Sequence, residues 1–284
     1  MDKLRLLIPK GRIYDGVIKL LSEAGWTVKG GERSYRPSIN ASYIDVKIMK
    51  PQNVGELLQL GSHDAGWTGT DWLDETGADV ERLLDLELDP VRIVAAIPES
   101  LDEKALKSKT VVVATEYVNI AESWLKGQGY RYKILRTHGA TEVFPPDDAD
   151  MIIDNCSSGQ TLLDNHLKII ATVCSSSTHF VASKAAMQDK DKRKKIEEIA
   201  MLLKAVLDGR GAVMLEMNVS KENLEALCAI LPAMKSPTIC SLSGGEGYAV
   251  KIAVRKAEVA ALLPLLKEKG ASDIVEYELR KLIV

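Results

Sequence analysis

Within the stretch MIIDNCSSGQTLL, an apolar strand pattern at Met151–Ile153 runs into Asp154 and then into Ser157, Ser158, Gly159, Gln160 and Thr161. An acid followed at once by hydroxyls and a glycine, at the start of the helical pattern TLLDNHL, suits an anion joined to a polyol. A helix start offers unpaired N–H groups and the positive end of a dipole, and glycine lets the backbone approach a phosphate closely. The hydroxyls of Ser157 and Thr161 add donors without charge. The acid is unfavourable beside a bare phosphate and favourable beside a sugar phosphate, with Asp154 accepting from ribose hydroxyls while the turn holds the 5′-phosphate. The plainer account is a capped helix after a strand, which needs only one of Asp154, Ser157 and Ser158.

Two further stretches point the same way. IPKGRIYDG places Lys10, Gly11 and Arg12 in a glycine turn directly after the first strand, where cations meet polyphosphates. RSYRPS adds Arg33 and Arg36 beside an aromatic ring, and GWTGTDWL makes a second strand-to-helix turn whose small residues and Asp71 form a cleft wall. Singly these are ordinary surface cations and turns; together they describe a cleft between two lobes with anion contacts on both sides. Other chemistries lack their residues. The sequence contains no GxxxxGK[ST], no GxGxxG after a strand, no GxSxG and no HExxH. His63, His138, His166 and His179 have no ligand spacing, and Cys156, Cys174, Cys228 and Cys240 show no CxxC pair, so they read as reduced packing residues.

The elements that must position these residues follow from periodicity. LRLLIP, IDVKIMK and HDAGWTG read as strands; YDGVIKLLSEAG is a helix with Val17, Leu20, Leu21 and Ala24 on one face, and NVGELLQLG is a helix capped by Asn53. A strand at Val91–Ile97 closes this first lobe, and the pattern restarts with TVVVAT, a helix around NIAESWLKGQG, YKILRT, the strand before Asp154 and KIIATV. THFVAS leads to a charged helix, DKDKRKKIEEIAMLLKAVLDG, with Ile196, Ile199, Leu202, Leu203 and Val206 on its apolar face. Its basic run reads as a solvated face with compensating acids. The last quarter repeats itself: VSKENLEALCAILPAMKSP from Val219 aligns with VRKAEVAALLPLLKEKGAS from Val254, each copy reading strand, helix, strand. Two tandem copies make a ferredoxin-like βαββαβ domain. The expected organisation is α/β, with a first lobe at 1–95 joined by about 180–208, a second lobe at 96–179 and a separate small domain at 211–284.

With 284 residues, 46% of them apolar, the chain buries a substantial core; a formal charge of −3 provides no basic field for nucleic acid. The apolar stretch at the N-terminus is too short for a signal peptide, and no window approaches the roughly 20 apolar residues of a membrane helix, so a cytoplasmic location with no membrane partner is expected.

LLIPKGRI, RSYRPS, GWTGTDWL, ATEYVN and above all DADMIIDNCSSGQTLLDNHLKII, with KSPTI and KGASDIVEYEL near the end, resemble the ATP phosphoribosyltransferases of histidine biosynthesis over essentially the whole chain. The resemblance implies a two-lobed catalytic unit like the type II periplasmic binding proteins and a C-terminal ACT-like regulatory domain of the long form. It implies a reaction in which N1 of the adenine of ATP displaces pyrophosphate from phosphoribosyl pyrophosphate with Mg²⁺. Such chemistry needs two polyanions aligned in a cleft and negative charge near a ribose carbon that becomes cationic, with no protein nucleophile. Matched residue by residue, Asp154 to Thr161 would bind the ribose 5-phosphate, Lys10, Arg12 and Lys50 the polyphosphates, and Glu116 and Tyr117 would lie beside the cleft, Tyr117 against the adenine. The family usually has threonine at Gln160 and arginine at Lys50. The small domain implies feedback inhibition by histidine, contacted by Asn218, Ser236, Thr238, Ala271 and Ser272. A homo-oligomer, from dimer to hexamer, with no separate regulatory subunit is the expected assembly. The rival readings are a non-catalytic sensor built on a binding-protein-like clamp, which needs no second polyanion site, and a different phosphoribosyltransferase, which would lack the C-terminal repeat.

Overall fold

A computed structural model describes residues 3–31, 34–232 and 236–283. Its contacts divide it into two compact units, the first running to Ala200 and the second taking in Glu23–Gly25 and the chain from Met201 on. In chain order the first unit comprises β1 (Leu4–Pro9), α1 (Arg12–Ala24), β2 (Val28–Lys29), β3 (Ser38–Ile39), β4 (Ile44–Met49), α2 (Val54–Gln59), β5 (Ala65–Gly69) and α3 (Thr70–Thr76). It continues with β6 (Val80–Pro98), α4 (Glu103–Leu106), β7 (Thr110–Thr115), α5 (Val118–Gly127), β8 (Arg131–Arg136), β9 (Met151–Cys156), α6 (Gln160–Asp164), β10 (Leu167–Ser183), α7 (Lys184–Gln188) and the start of α8 (Lys190–Arg210).

The sheet order is β4-β1-β5-β10-β6-β9-β7-β8. Parallel strands β4, β1 and β5 centre one lobe and β9, β7 and β8 the other, while β6 and β10 run antiparallel through the middle and join both. Leu4, Leu6, Leu7 and Ile8 of β1 are all buried, the unbroken apolar run of a strand covered on both faces. In α1 the stripe of Val17, Leu20, Leu21 and Ala24 is buried as its spacing requires.

The two crossing strands are longer than the sequence suggests. The first half of β6 is charged, VERLLDLELD, and the middle of β10 is the hydroxyl-rich CSSST, so only their apolar ends read as strands. The lobe boundaries expected at 95/96 and 179/180 fall inside β6 and β10. Where the strands cross, their register jumps: Thr178 pairs with Leu88 but His179 with Asp85, leaving Leu86 and Glu87 as a bulge. Asp85 closes it, its Oδ1 accepting from Glu87 N at 2.8 Å and from Ser177 Oγ at 2.7 Å. Glu87 and Asp89 both take φ of 53°, a left-handed conformation uncommon for residues other than glycine. Bulges of this kind bend a strand and re-aim its side chains.

Two local expectations are corrected. Asn53 does not cap α2: residues 51–53 form a 3₁₀ turn, Asn53 is itself helical, and its side chain makes no capping bond. The cysteines are free, but only Cys156 is buried and Cys240 is exposed, because β12 is an edge strand with every residue facing solvent.

The second unit contains β11 (Ala212–Ser220), α9 (Leu224–Cys228), β12 (Thr238–Ser241), β13 (Gly247–Arg255), α10 (Val259–Glu268) and β14 (Ser272–Glu278), with strand order β12-β13-β11-β14. This is the ferredoxin-like arrangement that the repeat implies. Val213, Leu215, Met217 and Val219 of β11 alternate toward a core shared with Val250, Ile252 and Val254 of β13, Leu227 of α9 and Val259, Leu262 and Leu266 of α10. In α8, Ile196, Ile199, Leu203 and Val206 are buried, while Leu202 is half-buried.

Candidate functional site

Parallel strands β7 and β9 end on the same edge of the sheet, so the segments that follow them emerge together, as at ligand sites of open α/β sheets. There a pocket of about 470 Å³ is lined by Arg12, Glu116, Gly139, Glu142, Asp154, Asn155, Ser157, Ser158, Gly159 and Thr161. Asp154 is half-buried in it, accepting from Asn155 N at 2.7 Å and from the Thr141 hydroxyl. Thr141 is held in turn by Thr137, Oγ1 to Oγ1 at 3.0 Å. Burial pushes the Asp154 carboxyl up to about 6, the nearby charges of Glu116 and Glu142 adding to the shift against these hydrogen bonds.

Gly159 sits at φ 84°, a conformation that a side chain resists, and this reverses the chain into α6. Of the candidate caps, Ser158 accepts from Gln160 N at 3.3 Å, while Ser157 and Thr161 stay exposed on the pocket wall. Gln160 lines neither this pocket nor its neighbour; its Nε2 donates to Asp164 at 2.7 Å, one turn along α6.

A second pocket, of about 270 Å³, lies against the first, sharing Arg12, Glu116 and Asn155 with it. It adds Lys10, Ile13, Pro51, Gln52, Asp71, Trp72, Asp89, Val91, Tyr117 and Ser176 to Thr178. A second register shift in β6, where Asp89 and Pro90 lie between the Leu88–Thr178 and Val91–Ser176 pairs, brings Asp89 here, its Oδ2 2.8 Å from Arg12 Nε. Lys10 Nζ stands 6.0 Å from the centre of the Tyr35 ring. Behind the pocket wall is a buried network: the Asp71 carboxylate accepts from Tyr117 Oη at 2.8 Å and from Ser176 Oγ at 2.7 Å, and Ser176 Oγ accepts from Asp71 N at 3.1 Å.

Tyr117 is therefore not a free platform for a base. It is almost wholly buried and stacks on Trp72 at 4.5 Å; burial, then Asp71, pushes its phenol far above the ordinary value. Lys50 is exposed at the start of the 51–53 turn and lines neither pocket, and Arg36 lines a separate surface depression. Arg33 lies outside the described residues. Asn155, Glu142, Gln52, Trp72, Asp89 and Ser176 do not stand out in the sequence. Asn155 sits inside the motif and is within reach of it; Glu142 and Asp89 arrive on a loop and a bulge that no motif marks. Among the described residues, no group of three or more His, Cys, Asp or Glu converges closely enough to hold a metal ion.

In the small domain, Asn218 pairs in register with Ser272, and the Asn218 amide and the Ser272 hydroxyl both donate to Asp273 Oδ2, at 3.1 and 2.9 Å. Ala271 is buried beside them. Thr238 lies on β12, the opposite edge of the four-stranded sheet, with Ser236 just before it. Sheet spacing of about 4.8 Å per strand puts Ser272 on β14 roughly 14 Å from β12 within one copy, and Asn218, on the inner strand β11, roughly 10 Å from it.

The family model described as ATP phosphoribosyltransferase matches residues 50–205, and that of the HisG C-terminal domain matches residues 209–281. Proteins named ATP phosphoribosyltransferase are 38% identical in Chlorobium phaeovibrioides, covering 99% of this chain and 97% of the relative, and 37% identical in Solibacter usitatus, covering 99% of each. The chain belongs to the ATP phosphoribosyltransferase family. It is a pentosyl-transferring enzyme of the first step of histidine biosynthesis, with the two-lobed catalytic unit and ferredoxin-like domain that its sequence suggested. A solved chain of the ATP phosphoribosyl transferase (HisG:HisZ) complex from Thermotoga maritima superposes with a TM-score of 0.63 at 26% identity, covering 72% of this chain and 98% of that one. No helix among the described residues is long and apolar enough to cross a membrane.

The Gln160 side chain, turned along α6, gives this position a direct test. With its amide committed to Asp164, Gln160→Ala is expected to change the KM for phosphoribosyl pyrophosphate less than twofold and stability by no more than about 0.5 kcal/mol, the worth of an exposed pair one turn apart. Initial rates and a thermal melt check both.

Proposed function

We propose that the larger pocket holds phosphoribosyl pyrophosphate and the smaller one the adenine of ATP, so that N1 of the base meets C1 of the ribose where the pockets join. The observation that carries this reading is that Arg12, Glu116 and Asn155 border both pockets, with Asp154 on the sugar side. In the reaction the N1 lone pair forms the bond to C1 as the bond from C1 to the pyrophosphate oxygen breaks. N1 carries no hydrogen, so no base need remove a proton, and the work falls to alignment and to charge. Asp154, Glu116 and Glu142 supply negative charge beside the cationic ribose carbon, Ser157 and Thr161 with the Gly159 backbone receive the 5-phosphate, and Lys10 and Arg12 meet the polyphosphates.

The carboxylates present do not form a ready cage, so Mg²⁺ fits here as an ion carried on the substrates' phosphate oxygens with few protein ligands, the usual habit of magnesium. It would neutralise the departing pyrophosphate.

Histidine inhibition through the small domain is part of the same proposal. Ala271 and Ser272 sit at one sheet edge with Asn218 on the inner strand beside it, and Ser236 and Thr238 at the other edge, so a single histidine would touch Ser272 and Thr238 together only where the β12 edge of one copy met the β14 edge of another. This favours a homo-oligomer that regulates itself without a separate subunit. The test is to mix the protein with ATP, phosphoribosyl pyrophosphate, Mg²⁺ and pyrophosphatase and to follow phosphoribosyl-ATP in the ultraviolet, with and without histidine. Absence of product would sink the enzymatic reading, and product formation indifferent to histidine would sink the regulatory one.

A further inference from the structure

Among the described residues four buried side-chain oxygen or nitrogen atoms have no hydrogen-bond partner: Gln52 Oε1, Asp89 Oδ2, Thr178 Oγ1 and Trp67 Nε1. The first three belong to residues that line the same 270 Å³ pocket. Native interiors leave few such atoms, because each forfeits the hydrogen bond it would make in water. Two oxygens left unmet and a third held only by an ion pair, all around one cavity, therefore call for a common cause.

A carboxylate oxygen and an amide oxygen only accept, and the Thr178 hydroxyl can accept as well as donate, so all three can serve one donor group. Asp89 Oδ2 lies 2.8 Å from Arg12 Nε, a close ion pair that lacks hydrogen-bond alignment and leaves the acceptor position unfilled. The second register shift in β6, between the Leu88–Thr178 and Val91–Ser176 pairs, holds Asp89 there at φ 53°, a conformation that costs free energy. The rest of the lining includes Ile13, Pro51, Trp72 and Val91, an apolar and aromatic wall suited to the flat face of a base.

We infer that Gln52, Asp89 and Thr178 are specificity-determining residues that accept hydrogen bonds from the exocyclic amine of the purine, selecting a 6-amino purine over a 6-oxo one. This rests on the placement of adenine in the smaller pocket. A 6-oxo group would set an acceptor against the Asp89 and Gln52 oxygens, whereas an amine presents two donors to them. The selection also serves the reaction. When N1 bonds to C1 and pyrophosphate leaves with the electron pair of the broken bond, the positive charge on the base is shared between N1 and the amine nitrogen. Acceptors on the amine hydrogens, Asp89 above all, then bind the transition state more strongly than the ground state, which is what raises kcat.

The test compares ATP with its 6-deamino analogue, purine riboside triphosphate, in wild type and in Asp89→Gly, Gln52→Leu and Thr178→Val. Glycine tolerates the left-handed backbone at 89, and valine copies the shape of Thr178. The intrinsic difference in N1 reactivity between the two nucleotides is common to all four proteins, so the change in the ratio of their kcat/KM values isolates the protein's share. Asp89→Gly is expected to shrink the preference for ATP about tenfold or more, and the other two about three- to tenfold; the KM for phosphoribosyl pyrophosphate should stay unchanged in Gln52→Leu and Thr178→Val, while Asp89→Gly also releases Arg12. Thr178→Val should also raise the melting temperature of the free protein, because it replaces an unpaired buried hydroxyl by a methyl. An unchanged ratio, or equal losses with both nucleotides, would overturn the assignment while leaving the reaction intact. Wild type making no product from ATP would overturn the placement of adenine as well.

Discussion

Asp154→Asn is expected to lower kcat/KM about 10²–10³-fold and, at neutral pH, to make the free protein more stable. Both effects follow from one placement. The carboxyl is enclosed by the pocket wall, with Glu116 and Glu142 nearby, and its affinity for a proton rises until it titrates at about 6 rather than 3.8. A folded-state value above the unfolded one means that folding favours the protonated form. That contribution is fully present below pH 3.8 and is lost as the pH rises to about 6, above which the protein carries an uncomfortable buried charge. Asparagine removes the charge, so above pH 6 the variant should gain up to about 3 kcal/mol, each tenfold in proton affinity being worth about 1.4 kcal/mol. Melting temperatures of the two proteins should converge toward pH 4.

Catalysis pulls the other way. A charge that costs stability in the empty pocket is compensated when a ribose carbon turns cationic beside it, and losing one such preorganised group typically costs about 2.7–4 kcal/mol. Wild-type kcat/KM should rise with pH along a limb centred near 6, and the variant should lose that limb. A variant that kept it, or that lost stability at pH 7.5, would show that Asp154 is a structural residue and not a reaction residue.

What the sequence makes legible, and what it does not, divides along physical lines. The motif from Asp154 to Thr161 is readable because strand, turn and helix start are local, and the βαββαβ domain is readable because it repeats. The crossing strands are not, since β6 is charged where it leaves the first lobe and carries apolar residues mainly in its second half. With them go the bulges, and with the second of these Asp89, whose position depends on a register jump against a strand almost ninety residues away. Tyr117 stands out in the sequence, but an aromatic beside a cleft suggests a stacking surface, and only the fold reveals that Trp72 and Asp71 already occupy it. Lys50 and Gln160 show the same limit, for a side chain's type says what it can bind and its rotamer decides whether it does.

Gly69→Ala and Asp71→Ala should each cost about 2–4 kcal/mol of stability and at least tenfold in kcat, and the double variant should be little worse than Asp71→Ala alone. A Cβ at residue 69 would stand 2.1 Å from Asp71 Oδ1 and 3.2 Å from Ser176 Oγ, so alanine must expel the carboxylate that these groups hold. Asp71 starts α3 in the first lobe, Tyr117 precedes α5 in the second, and Ser176 lies on β10 where the lobes meet. Beside them, the Glu75 carboxylate accepts from Asn119 N and Ile120 N, each at 3.0 Å, and so satisfies the N-terminus of α5 from the other lobe. Displacing or deleting Asp71 takes away the acceptor of the Tyr117 and Ser176 hydroxyl hydrogens, each at about 1–3 kcal/mol, and frees one lobe to shift against the other. Because Asn155 reaches Tyr117 Oη at 3.4 Å and Asp154 Oδ1 at 3.1 Å, the disturbance arrives where the two pockets join. Deleting the Asp71 carboxylate also removes the atom that a Cβ at 69 would strike, so the two losses share one cause and cannot add. Additive losses in the double variant would mean that Gly69 is required for some other reason and that the network does not hold the lobes in register.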